Sequence, residues 1–351
     1  MKFPQLKIGE KITKFPIIQG GMGVGISLSS LASTVANYGG IGVISGVQIG
    51  YREEDFERNC NEANERALAK EIRRARELSP DRILGVNLMK AMNNYKEMVA
   101  VAVKEKIDLI ISGAGLPSEL PSLVKDSETK IAPIVSSGKA AAVITKLWKK
   151  HYDYLPDLVI VEGPMAGGHL GFSLKELKGE LPDLKKIVKD VINVLKPYED
   201  ESGKKIPVIA AGGIYDSKDI KEYIELGCSG VQIGTRFVAT HECDASLEFK
   251  NAYIQAKEED IDIVLSPVGM PGQAIINPFI KRIKEEREKV TKCFRCLQPC
   301  NPVTTPYCIS KALINSVKGN VDEGLLFVGR IAYRLDRIVS VKELIDELFE
   351  Q

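Results

Sequence analysis

Short apolar runs rich in β-branched residues recur along the chain, many of them closed by glycine, serine or asparagine: Pro16–Gln19, Gly42–Ser45, Ile83–Asn87, Leu109–Ser112, Ile131–Val135, Leu158–Val161, Pro207–Ala210 and Gly230–Ile233. Runs this short and this apolar read as strands buried on both faces. Between them the apolar positions return every three or four residues, over Ser27–Tyr38, Glu53–Leu78, Tyr95–Lys104, Lys139–Lys150, Asp183–Leu195 and Ser217–Leu226, which is the spacing of amphipathic helices. Alternation of strand and helix predicts a parallel sheet. Eight such units in about 240 residues match a closed (β/α)8 barrel in size better than an open doubly wound sheet, so the expected fold class is α/β, a TIM barrel.

A barrel of this kind carries its chemistry at the carboxyl ends of its strands. The sixth run leads into Val161-Glu162-Gly163-Pro164-Met165-Ala166-Gly167-Gly168-His169, where paired glycines let the backbone turn sharply and approach a flat or anionic ligand. His169 then stands at the rim of that cradle. The other strand ends are glycine-rich as well: Gln19-Gly20-Gly21-Met22-Gly23, Gly85-Val86-Asn87, Ser112-Gly113-Ala114-Gly115, Ala210-Ala211-Gly212-Gly213 and Ile233-Gly234-Thr235-Arg236. Each cluster alone is an ordinary turn; their joint placement after strands seven and eight matches the phosphate site of this architecture, and Met22 and Asn87 are placed to meet a flat ring. A phosphorylated cofactor such as FMN fits.

Composition narrows the partners. The chain has 351 residues, 44% of them hydrophobic and 27% charged, with a formal net charge of +1. That balance offers no basic face to nucleic acid, and a small-molecule substrate is expected. No apolar run reaches the ~18 residues a membrane span needs, and Met1 to Glu10 lacks a secretory signal's apolar core. Cytoplasmic residence and reduced thiols are expected. Of the other two histidines, His151 and His241 lie among charged residues and are expected in solvent. Ser266 to Gly272 is rich in turn formers and reads equally as a loop over the pocket or as a rigid connector.

Seven cysteines are present, and Cys293, Cys296, Cys300 and Cys308 follow one another with C-x2-C-x3-C-x7-C spacing. Four thiolates so close suit zinc or a [4Fe–4S] cluster; reduced thiols packing a small loop are the alternative. Helices are expected after them at Ile309–Val317 and Val341–Phe349; between these, Gly324–Arg330 with Tyr333 and Arg334 reads either as reaching toward the pocket or, the favoured reading, as carrying Arg330 and Arg334 as surface ion-pair formers.

From about residue 10 to residue 280 the chain resembles the nitronate monooxygenases, formerly called 2-nitropropane dioxygenases, and the related FMN-dependent enoyl-ACP reductases. The resemblance rests on Pro16 to Met22, Gly85 to Asn87, Ser112 to Gly115, Glu162 to His169, Ala210 to Ile214 and Gln232 to Phe237, in that order. It implies an FMN-binding barrel, placed at 1–240, and a smaller, mostly helical cap, placed at 241–290; the Cys-rich loop with C-terminal helices at 291–351 departs from it. It implies FMN contacts from Gly21, Met22, Asn87, Glu162, Gly167 and Gly168, phosphate contacts from Gly212, Gly213, Gly234 and Thr235, and a catalytic His169. It implies a substrate oxidised with dioxygen, or NAD(P)H as reductant for an enoyl thioester or a quinone. The sequence leaves a homodimer open.

Overall fold

Eight parallel strands close into a barrel in the structure, a computed structural model that describes residues 3–349. They are β1 (Ile17–Gln19), β2 (Gly42–Ser45), β3 (Leu84–Met89), β4 (Leu109–Gly113), β5 (Lys130–Val135), β6 (Val159–Glu162), β7 (Val208–Ala211) and β8 (Gly230–Ile233). β8 pairs with β1, and a parallel bridge between Ile18 and Ile41 joins β1 to the chain entering β2. The Gln19 N–H donates to the Ile41 carbonyl and the Ile41 N–H to the Ile17 carbonyl, both at 2.9 Å, which completes the ring.

Alternation along the strands divides the core. Ile18, Val43, Leu109, Ile111, Ile160, Ile209 and Ala211 pack together inside the barrel, while their neighbours Ile17, Ile44, Ile110, Val161 and Ala210 belong to the layer shared with the surrounding helices. A period of two in a strand buried on both faces produces that division. Leu6 and Ile8, from the short hairpin Lys7–Ile8 and Lys11–Ile12, join the inner cluster.

The helices stand where the 3.6-residue period places them, with two informative differences. The pattern over Glu53–Leu78 begins as turns, and the helix runs only Cys60–Leu78. The Asp55 carboxylate accepts from Asn59 Nδ2 at 3.1 Å, local side-chain bonding that competes with a helix. The helix expected to stop at Leu195 continues over Leu184–Ser202 with Pro197 inside it, and ends at Gly203 in the left-handed region.

Beyond residue 240 come helices Leu247–Gln255 and Pro278–Glu285 and, between them, an antiparallel hairpin, Ile261–Leu265 with Pro271–Ile275, that the hydrophobic pattern does not announce. Its second strand also pairs with Gly168–His169. The hairpin thus anchors the loop that carries the histidine. Helices follow at Ile309–Val317 and Val341–Phe349. No helix among the described residues is long and apolar enough to cross a membrane.

Candidate active site

The carboxyl ends of the barrel strands open into one cavity of about 250 Å³. Its lining includes Gly21, Met22, Asn87, Glu162, Gly167, Gly168, His169, Gly212, Gly213, Gly234 and Thr235, so every residue expected at the cofactor and the catalytic position meets there. Among the described residues neither Lys nor Arg lines it. Arg236, next to Thr235, is turned away: it pairs with Glu347 at 2.5 Å and stacks on Tyr215. Arg334 pairs with Asp216 at 3.2 Å, the ion pair expected of it.

The Nε2 of His169 is buried with no hydrogen-bond partner among the described residues, and its ring packs on Phe327 at 5.1 Å between centroids. Burial pushes the imidazole down to about 4, so the neutral form stands ready at physiological pH. Glu162 ends β6 with no hydrogen-bonding or charged partner among the described residues, and burial pushes its carboxyl up to about 7. Gln232, on β8, likewise keeps its Oε1 buried and unpaired.

Glycines make the floor and rim. Gly212 and Gly213 follow β7 with φ of +94° and +81°, a turn that side chains rarely allow. A Cβ on Gly212 would stand 3.1 Å from the Ala166 nitrogen, whereas one on Gly168 would meet nothing within 4 Å. The first keeps two loops in contact; the second leaves room beside His169.

Three parts of the wall come from outside the strand-end motifs, the first of them within Gly324–Arg330, the stretch that the sequence left free to reach the pocket. A strap, Phe327–Gly329, crosses the Gly167 turn: a Cβ on Gly167 would sit 2.8 Å from the Gly329 nitrogen, and the Arg330 N–H donates to the Met165 carbonyl at 3.1 Å. Tyr253 donates its hydroxyl to the Phe327 carbonyl and also lines the cavity. Gln48, buried with φ +48°, accepts from Asn64 at 2.8 Å and from the Cys60 thiol at 3.3 Å, and donates to Ser310 at 2.9 Å. None of these carries a local signal, since each acts through a contact distant in sequence.

The four tail cysteines do not form the metal centre their spacing suggested. Among the described residues no group of three or more His, Cys, Asp or Glu is gathered closely enough to hold an ion. Cys293 is exposed, Cys308 precedes the helix Ile309–Val317, and only Cys296 reaches the cavity wall. Burial pushes the Cys296 thiol up to about 11, which keeps it protonated. This segment instead docks on the chain after β3: the Asn93 N–H donates to the Cys296 carbonyl at 3.2 Å, the Gln298 N–H to the Ala91 carbonyl at 2.8 Å, and Phe294 stacks on Phe56.

His151 and His241 are exposed, as expected. Ser266 to Met270 forms the tip of the hairpin, where the Ser266 N–H donates to the Met270 carbonyl at 2.9 Å; Val268 and Met270 do not line the cavity, so this stretch is a connector.

A TIM barrel whose strand ends converge on a glycine-lined cavity with His169 at its rim has the architecture of an enzyme acting on a small molecule, and the family match gives its class as an oxidoreductase of the FMN type. The nitronate monooxygenase family model matches residues 5–351, and the chain belongs to that family. A probable nitronate monooxygenase of Bacillus subtilis is 27% identical, over 96% of this chain and 95% of that one. One from Staphylococcus saprophyticus is also 27% identical, over 99% and 98%. Among solved structures, FabK from Thermotoga maritima superposes with a TM-score of 0.74 at 27% identity, covering 96% of this chain and 92% of that one. Nitroalkane oxidase from Streptomyces ansochromogenes shares the fold, with a TM-score of 0.72 at 20% identity over 95% and 94%.

Proposed function

We propose that this enzyme oxidises alkyl nitronates with dioxygen, using FMN, with His169 as the catalytic base. The observation that carries the reading is the buried, unpaired Nε2 of His169 at the rim of the glycine-lined cavity. The cavity suits FMN: unpaired polar atoms on His169 and Gln232 await a partner, and the space beside Gly168 is open. Gly21, Met22, Asn87, Glu162, Gly167 and Gly168 would hold the ring system and ribityl chain, and Gly212, Gly213, Gly234 and Thr235 the phosphate. Bound FMN supplies electron transfer from the substrate to dioxygen.

The protein's own contribution centres on the imidazole. Neutral His169 holds the substrate at its α-carbon, or takes a proton there when the nitroalkane arrives un-ionised. An imidazole pushed down to about 4 is a weak base, poorly matched to taking an α-proton from a neutral nitroalkane, whereas a nitronate arrives already deprotonated there and needs only to be held. The low basicity therefore favours a substrate arriving as the anion. Oxygen uptake with an alkyl nitronate tests the reading: consumption without any pyridine nucleotide supports it, and none, with the flavin bound, refutes it.

The likeness to FabK supports a second reading on the same scaffold, NAD(P)H-dependent reduction of an unsaturated thioester, with a quinone as a further acceptor. There His169 would orient the carbonyl or donate a proton.

A further inference from the structure

Among the features outside the expected site, the contact between His169 and Phe327 carries an inference furthest. We propose that Phe327 is a positioning and specificity-determining residue: its ring fixes the His169 imidazole and limits the bulk of the group that sits against it. The inference rests on the proposed role of His169.

Three strands build the contact. Gly168–His169 pairs with one edge of Pro271–Ile275, in register His169 opposite Gly272. The strap continues that same edge, where Phe327 bridges Ala274, the Ile275 N–H donates to the Leu326 carbonyl at 3.0 Å and the Val328 N–H to the Gln273 carbonyl at 3.0 Å, while Ile261–Leu265 takes the opposite edge. The two rings therefore come from successive segments along one edge of the same strand. They meet because the residue between them is glycine: a Cβ on Gly272 would stand 2.7 Å from Phe327 Cε1. The Tyr253 hydroxyl, donated to the Phe327 carbonyl, holds the strap from the other side.

This arrangement gives Phe327 two effects on one group. Packing an apolar ring, tilted by 59°, against the imidazole excludes water from that side of it, and exclusion of water disfavours the charged form. Occupying the space beside the imidazole sets the width left for a substrate chain. Among the described residues, the titratable groups lining the cavity with His169 are Glu162, Tyr253 and Cys296, and no lysine, arginine or aspartate lines it.

The test uses the full-length holoenzyme, in which the three histidines give resolvable imidazole resonances. In Phe327→Ala the His169 titration midpoint should rise by at least about one unit toward the unperturbed value of ~6.5. The acid limb of kcat/KM should rise with it, and the preference for short over long alkyl nitronates should fall by about tenfold or more. Phe327→Leu, which keeps an apolar cover, should restore the wild-type titration. Gly272→Ala, whose Cβ crowds the ring at 2.7 Å and leaves residue 327 itself unchanged, should reproduce the alanine phenotype and serves if Phe327→Ala fails to fold. A folded Phe327→Ala or Gly272→Ala enzyme whose His169 titrates as in wild type overturns the proposal. An enzyme that ignores nitronates yet shows the titration shift supports the positioning role and removes only the substrate reading.

Discussion

Gly21 and Asn87 close the same corner of the cavity from the ends of neighbouring parts of the barrel, so tightly that a Cβ on Gly21 would overlap the Cβ of Asn87. Both line the cavity. In the proposed complex Asn87 reaches the flavin only because residue 21 has no side chain. Gly21→Ala should therefore lower FMN affinity by about tenfold or more, ~1.4 kcal/mol, while the barrel stays folded. Fluorescence titration of the apoprotein with FMN checks this, with circular dichroism as the control for folding.

Replacing His169 separates binding from chemistry. His169→Ala should retain FMN and lose on the order of 10²–10⁴ in kcat, the usual contribution of a positioned acid–base group. Steady-state kinetics on FMN-loaded variant and wild type provide the comparison. Equal turnover would remove the role assigned to the imidazole.

Much of this site was legible because the barrel converts a local pattern into a global position. Glu162, Gly167, Gly168 and His169 follow one apolar run, Gly212 and Gly213 another, Gly234 and Thr235 a third, and a closed parallel barrel brings all such strand ends to one face. The strap could not be read that way. Phe327 and Gly329 sit in a stretch whose own sequence resembles any loop, and their meaning comes from the Gly167 turn and from Thr235. The cysteines mislead for the converse reason: spacing along a loop is not convergence in space, and backbone pairing with Ala91 and Asn93 spreads that loop along the barrel rim. The hairpin Ile261–Leu265 with Pro271–Ile275 was obscured by its two prolines, which read as punctuation although one of them starts a strand.

Glu162 and His169 should act oppositely on the stability of the apoprotein. The Glu162 carboxyl, ordinarily near ~4.3, is pushed up to about 7, so the folded chain keeps a proton that the unfolded chain has released. Its contribution is fully present below the ordinary value and is lost as pH rises through about 7. His169, pushed down to about 4, contributes stability above ~6.5 that is lost as pH falls through about 4. Glu162→Gln should therefore gain in melting temperature relative to wild type as pH rises from about 5 to about 8. Thermal unfolding of both apoproteins across that range reads the gap directly. A gap that narrows with rising pH contradicts the assignment.

The tail thiols should contribute without metal. The purified enzyme is expected to carry far less than one equivalent of iron or zinc, and chelator should leave its melting temperature unchanged, because a structural metal would make folding depend on it. Elemental analysis and a melt with and without chelator check both. By contrast, Phe294→Ala should destabilise the fold by about 3–5 kcal/mol, through loss of the buried ring stacked on Phe56.

The central claim is that a nitronate, and not a pyridine nucleotide, delivers electrons to the flavin of this enzyme. Anaerobic mixing of the FMN-loaded protein with an alkyl nitronate, NADH or NADPH, each alone, tests it through the flavin absorbance. The account predicts bleaching by the nitronate and none by either nucleotide. Bleaching by NADH or NADPH with no response to nitronate would contradict it and move the assignment to an enoyl-thioester or quinone reductase.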